Sequence, residues 1–466
     1  MSVTQQANQS LGQAMFGQAE LGDKRRTNRA VAAFDSLCRH PGGTLPEKLA
    51  IGAELKGLYR LCENDAVEHS ALIAAMHEYT LARIEEHQGP VLVVHDATEL
   101  DYSTLYSLTD DLGQIGRGNH RGYICQNVLA VDSESGEVLG LLDQILHCRD
   151  EVPENETLPE HRNRETRESL LWPRGAQHLP DDWRLIDVAD QGASTFEFFE
   201  HEYRSGRRFV IRNGKSRKVY PGHEASGQKR LLRGYAKSLP ELGRFTMDVQ
   251  SQRGKQARKA RKQAEFILRG GPILLCAPHG KHGHHGNDRL SIYVTYVEEA
   301  APPRKEKQVS WLLLTNEPVR TFDDAWRVAQ WYERRWVIEE FHKAQKTGCG
   351  IEKLQFTNVH RLQPAIAMLS AVALTLLNFR TASRSPDAKT RPASEVIDPE
   401  YVEVLSRWRH GKYDANWSVY EFFYALARLG GHQNRRNDKP PGWLILWRGW
   451  EKMQCMIDGY RVAKCG

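Results

Sequence analysis

Val91-Leu92-Val93-Val94-His95-Asp96-Ala97-Thr98 opens with an unbroken apolar run and passes directly into a carboxylate. Such a run reads as a buried strand, and it marks the point where the chain changes from helical to β patterning. Ile124 to Asp132 and Val138 to Ile145 are two more strand-like segments, with Gly136 marking the turn between them. Leu185 to Ala189 reads as a further strand, Thr195 to Tyr203 as a helix, and Arg207 to Arg212 as the next strand. Three strands expected to be antiparallel, then alternating helix and strand, predict an α/β fold: a mixed sheet with helices on its faces.

Upstream of this run, the first ~85 residues carry helical apolar periodicity. Asp23 is the expected N-cap of a helix that starts Lys24-Arg25-Arg26-Thr27-Asn28-Arg29 and continues through Val31, Phe34 and Leu37. Its basic first turn suits DNA phosphates, and a solvated helix face explains it equally well. Downstream, residues ~214 to ~310 read as a β-rich insertion with a basic run from Arg253 to Lys262 and a Gly/His-rich loop from His279 to Gly286. A long helix is expected from Phe322 to about Thr347, a linker from Thr381 to Ser394, and helices after it.

The bulk numbers constrain function only loosely. The chain has 466 residues, 40% of them hydrophobic, with 64 Lys plus Arg against 59 Asp plus Glu, a net charge of +5. That is long enough for several domains and mildly suited to a polyanion. The longest apolar stretch, Ala365 to Leu377, is too short to span a bilayer and reads as a buried helix. No signal-peptide pattern opens the chain, and the eight cysteines are scattered without zinc-site or disulfide spacing, so a reducing cytoplasm is expected. His279, His282, His284 and His285 lack a second ligand cluster and read as a solvated or DNA-facing loop.

The helix from Phe322 places Tyr332, Arg335, Glu339, Lys343 and Lys346 at spacings of three and four, which puts them on one face. Trp331, Trp336 and Ile338 on its other faces predict packing on several sides, so this stripe is expected to line a cleft. Phosphoryl transfer on DNA uses two divalent ions about 3.5–4 Å apart, held by hard carboxylate ligands. Asp96 and Asp190 each follow a buried strand and are the candidates. An Asp in that position is more often a turn former or cap. Asp101, expected to lie outside the strand, and Asp187, inside the strand between apolar neighbours, rank below them.

Tyr332, Arg335, Glu339 and Lys346 reproduce the Tyr-x2-Arg-x3-Glu-x6-Lys signature, and the chain resembles the IS-four family of bacterial insertion-sequence transposases. Other blocks share the likeness: Leu21 to Thr27, Arg208 to Arg212, Trp311 to Thr315, Ile338 to Ala344 and Ala427 to Gly431. The resemblance implies a helical DNA-binding domain over 1–85 and a ribonuclease-H-like core over 86–380, with its β insertion at about 214–320. It also implies a helical dimerisation region over 381–466. Asp96, Asp190 and Glu339 become an Asp-Asp-Glu triad holding Mg²⁺, for which Mn²⁺ substitutes. Arg25, Arg26, Arg212, Trp311, Tyr332, Arg335, Lys343 and Lys346 become DNA contacts, with a flipped base stacking on Trp311.

The implied activity is cut-and-paste transposition: binding of end inverted repeats, cleavage through a hairpin, and transfer of 3′ ends into target DNA. The implied partners are double-stranded DNA and a second copy of the chain, without a membrane, and the implied location is the cytoplasm, at the nucleoid when acting. One departure is visible: relatives continue the second Asp with Arg-Glu-x-Asp, where this chain has Gln191-Gly192-Ala193-Ser194. An inactive DNA-binding relative acting as an inhibitor, or a metal-dependent endonuclease, are the alternative readings.

Overall fold

The computed structural model describes residues 10–49, 51–150, 155–157, 160, 163–251, 258–278, 285–304, 306–435 and 438–465. They fall into two compact units. The first comprises Met1–Gly89, Ala97–Pro153 and Val337–Gly466; the second comprises Pro90–Asp96 and Glu154–Trp336. The architecture is mixed α/β.

Among the described residues, the N-terminal part of the first unit forms five helices: α1 (Leu11–Phe16), α2 (Lys24–Arg39), α3 (Leu45–Lys48), α4 (Gly52–Cys62) and α5 (His69–Glu86). Asp23 caps α2 as expected, its carboxylate accepting from the Arg25 N–H at 2.8 Å. β2 (Gly113–Gln114) pairs antiparallel with β3 (Arg121–Asp132), and β3 forms with β4 (Val138–His147) an antiparallel hairpin turned by Gly136, whose φ of 73° is open to glycine at no steric cost. α5 lies on β4, where Thr80 Oγ1 donates to the carbonyls of Met76 at 2.7 Å and Leu141 at 3.0 Å. A side chain at Gly140 would sit 2.1 Å from that hydroxyl, so only glycine admits this approach.

α11 (Val359–Ala382) also packs on β4. It carries the Ala365 to Leu377 run and is buried along that length. It is long and apolar enough by composition to cross a membrane, but its place is inside the unit. α12 (Pro399–His410), α13 (Val419–Leu429) and α14 (Trp443–Cys465) close a separate core around Trp417, Phe422, Phe423 and Leu446. The expected linker at Thr381 to Ser394 is part of that core: Ala388 and Ala393 are buried in it, and the Ala393 N–H bonds the Trp417 carbonyl at 2.7 Å. Pro386 and Pro392 mark turns there, and two buried alanines are too weak an apolar signal to reveal packing.

A neutral polar network crosses the first unit. Gln144 Nε2 donates to Asn127 Oδ1 at 2.7 Å and to Ser370 Oγ at 2.9 Å, and Gln345 Nε2 reaches the same hydroxyl at 2.9 Å. All four side chains are buried. His69 Nε2 meets the Gln144 carbonyl oxygen at 3.0 Å, and burial pushes this imidazole down to about 4, so it is neutral at pH 7.

The second unit is built on a mixed sheet. From the first half of β1 (Val91–Asp101), the order runs β5 (Leu185–Ala189), β6 (Arg208–Arg212), β12 (Ser310–Thr315), β11 (Arg289–Glu299), β10 (Arg261–Cys276), β7 (Lys218–Pro221) and β8 (Arg230–Leu231). β9 (Glu241–Val249) also pairs with β10. β1–β5 and β5–β6 are parallel, and the pairs from β6 to β8 are antiparallel. α6 (Leu171–Ala176) and α7 (Phe196–Arg204) precede β6, and among the described residues from β7 to β12 the strands are joined by one short helix, α8 (Leu232–Ser238). Phe196, Phe198 and Phe199 of α7 pack with Phe209, Ile211, Tyr296, Leu312 and Leu314 in one apolar cluster. α9 (Phe322–Arg334) starts in a capping box between Thr321 and Asp324, and it buries Ala325, Val328, Ala329, Trp331 and Tyr332.

Three expectations from sequence are corrected. The helix from Phe322 is not continuous: α9 ends at Arg334, α10 (Trp336–Lys343) follows, and Ala344–Gly348 is a wider π turn. The last turn of α9 tightens, Arg335 N–H bonding the Tyr332 carbonyl at 3.1 Å, with no Pro or Gly to announce the break. Trp336 does not pack; it is 65% exposed. Asp101 lies within β1, not outside it, because the strand continues after burial ceases at Asp96. Apolar patterning tracks burial, which is continuous only through His95, while the strand runs on to Asp101.

Candidate active site and nucleic-acid interface

The register of the two parallel strands places two of the expected carboxylates. Val93 pairs with Asp187 and His95 with Ala189, and Asp96 and Asp190 are the next residues of each strand. Neighbouring strands run about 4.8 Å apart, so the two carboxylates leave the sheet side by side. Asp190 continues in extended backbone, with φ −80° and ψ −172°, and its Oδ1 accepts from Gly192 N–H at 2.6 Å as the cap of a short 3₁₀ turn. Asp96 is half-buried, and Arg335 Nη1 donates to its Oδ2 at 2.8 Å.

Arg335 continues a line of expected site residues. Its guanidinium lies 6.0 Å from the Tyr332 ring centroid, and that ring meets Trp311 edge-on at 5.4 Å. Trp311 is a half-buried residue of β12, one position from Ser310, whose carbonyl accepts from Arg212 at 3.4 Å. The second unit therefore gathers Asp96, Asp190, Arg212, Trp311, Tyr332 and Arg335. Glu339, Lys343 and Lys346 belong to the first unit. Glu339 sits in the first turn of α10, where the helix dipole favours a carboxylate. Lys343 is exposed, while Lys346 bonds the Glu99 carbonyl and lies 3.4 Å from Glu352. The expected single stripe is thus shared between two helices.

Asp187, the competitor of Asp190, has another occupation. It is fully buried, and His95 Nε2 approaches its Oδ1 at 2.6 Å while Arg207 Nε donates to its Oδ2 at 2.8 Å, with the guanidinium Nη2 2.6 Å from the same oxygen. Burial alone would raise this carboxyl, but Arg207 and His95 hold it below the usual range. Glu202, also fully buried, lies 3.7 Å from Arg207. Burial and the neighbouring Asp187 push it well above its ordinary value.

In the first unit, α2 and α4 enclose a recess of about 260 Å³ lined by Arg25, Arg26, Arg29, Arg60 and Asn64, with Asp23 at its edge. Arg25 is 90% exposed and forked onto Asp23 at 2.9 Å, which lowers that carboxyl to about 2. Arg26 donates to the Leu21 carbonyl at 2.9 Å. Arg29 follows Arg25 and Arg26 at i+4 and i+3, so its place on this face was readable from spacing. Arg60 was not, since only the packing of α4 on α2 brings it here.

Residues 8–67 match the transposase DNA-binding family. The match spans α1 to α4 and the arginine-lined recess, so the N-terminal part of this chain is similar to the DNA-binding domain of transposases. The match supports DNA as a partner of this chain and suggests a DNA-processing transposase. Other sequence signals stand differently. Residues 253–257 of the basic run and His279, His282 and His284 lie outside the described residues. Arg261, at the end of that run, is engaged by Glu299 at 2.7 Å and by Glu306. His285 Nδ1 meets Glu200 at 3.0 Å. The described cysteines other than Cys465 are free thiols, as their scattered spacing predicted.

Proposed function

We propose that the chain is a cut-and-paste DNA transposase of the IS-four type, with a ribonuclease-H-like core, whose Asp96, Asp190 and Glu339 hold two Mg²⁺ ions. The observation that carries the chemistry is the strand register: two hard oxygen donors directly follow the last register pair of adjacent parallel strands, beside a cationic, aromatic line of residues. That donor set fits Mg²⁺ or Mn²⁺. Arg335 ties Asp96 to the end of α9, and the chain reaches Glu339 four residues later. Bound metal would activate the attacking oxygen and stabilise the leaving one in an in-line displacement.

The remaining work belongs to side chains. Arg25, Arg26 and the arginines beside them bind the transposon end through its phosphates. Arg212, Arg335, Lys343 and Lys346 bind phosphates near the cut. Trp311 offers a face on which an extrahelical base stacks, worth ~1–3 kcal/mol. Nicking, hairpin formation, hairpin opening and strand transfer each exchange one oxygen for another at phosphorus, so one site serves all four. A homodimer on DNA assembles the two ends.

The test is to incubate full-length protein with linear DNA carrying the inverted repeats that flank its gene, with and without Mg²⁺, beside Glu339→Ala. Hairpin and strand-transfer products that need the metal and vanish in the variant are expected. Binding without cleavage by the parent protein would overturn the proposal and leave a non-catalytic DNA-binding relative, consistent with Gln191-Gly192 after Asp190. Cleavage without joining would leave an endonuclease.

A further inference from the structure

We propose that His95, Asp187 and Arg207 are positioning residues: a buried clamp across β1, β5 and the start of β6 that sets the spacing of the Asp96 and Asp190 carboxylates for a divalent cation. The inference rests on the two-carboxylate reading above and adds residues that touch neither metal nor DNA.

Strand alternation puts His95 and Asp187 on the sheet face opposite to Asp96. There His95 packs edge-on against Phe198 of α7, with ring centroids 6.1 Å apart. A carboxylate only accepts, so the 2.6 Å contact requires the proton on His95 Nε2. The bond runs diagonally, since His95 pairs in register with Ala189 but reaches back to Asp187, and this resists sliding of β1 along β5. Asp187 then ties to Arg207, the residue before β6, at 2.8 and 2.6 Å, and Arg207 reaches Glu202 of α7 at 3.7 Å.

A buried ionic network of this kind contributes little stability over an apolar replacement of the same shape. What it supplies is fixed geometry. Asp96 follows His95 directly and Asp190 lies three residues beyond Asp187. A shift of either strand end therefore moves a carboxylate by the same amount, and buried partners behind metal ligands typically govern affinity tenfold or more.

The experiment titrates Mn²⁺ into the full-length protein bound to end DNA and counts bound ion by electron paramagnetic resonance. Parent, Asp96→Ala, His95→Leu, His95→Gln and Arg207→Lys are compared, and cooperative thermal melting certifies folding. Asp96→Ala is expected to lose tight Mn²⁺ binding; if it does not, the carboxylate reading fails and the clamp with it. Given that loss, His95→Leu is expected to weaken Mn²⁺ binding about tenfold and His95→Gln, which keeps a donor, to restore it, with end-DNA affinity unchanged in both. A folded His95→Leu that binds Mn²⁺ like the parent, or a His95→Gln as weak as His95→Leu, would overturn the clamp. If His95→Leu does not fold, Arg207→Lys at the less buried end decides: severalfold weaker binding supports the proposal and parental binding ends it.

Discussion

The two units solve the same problem, a polar group in a buried place, with different chemistry. In the first, Asn127, Gln144, Ser370 and Gln345 share neutral hydrogen bonds of 2.7–2.9 Å between a hairpin, a helix and a π turn. In the second, Asp187 and Arg207 bring formal charges into full or partial burial beside His95 and Glu202. Neutral groups cost less to desolvate and hold elements together with little dependence on pH. Charged groups cost more and lose more when one partner is removed, but they hold tighter geometry. The expensive solution stands behind the proposed metal ligands, and the cheaper one stands in the unit's structural core.

The sharpest way to break this contrast is Asp187→Leu, which strands the Arg207 guanidinium and the His95 donor. A loss of about 3–5 kcal/mol in urea unfolding is expected, and a loss below about 1 kcal/mol would show the network to be solvated. Gln144→Leu, which removes the hub of the neutral network, is expected to cost less, about 1–3 kcal/mol. A cost equal to that of Asp187→Leu would erase the distinction.

Glu202→Gln gives the smallest effect and the clearest sign. Glu202 is raised in the folded protein, so its contribution is full below the unfolded value near 4.5 and is lost as pH rises toward the folded one. Glutamine mimics the protonated acid and has no such loss. The variant should match the parent near pH 5 and become progressively more stable than it by pH 8, read from urea midpoints. A pH-independent difference would mean that Glu202 is ionised in the fold.

Much of this was legible in the chain. The apolar runs at Val91–Val94 and Leu185–Ala189 located both central strands, the Asp23 cap located the basic helix, and Ala365–Leu377 located a buried helix, because each signal is local. Asp187 was ranked below Asp190 for its place between apolar neighbours inside a strand, and it does lie inside β5. Its partners, 92 residues before it and 20 after, left no periodic mark. The break at Arg335 and the exposure of Trp336 were illegible for a related reason: helical spacing continues across a tightened turn that contains no Pro or Gly.

Sequence by itself determined which residues are strand, helix and cap, and it carried the transposase likeness, since composition and spacing act over a few residues. Tertiary structure decided that His95 and Arg207 anchor Asp187, which arginine from α4 joins those of α2, and how Asp96 meets Arg335. Those choices depend on which distant charges share a buried volume, and chain distance does not encode that.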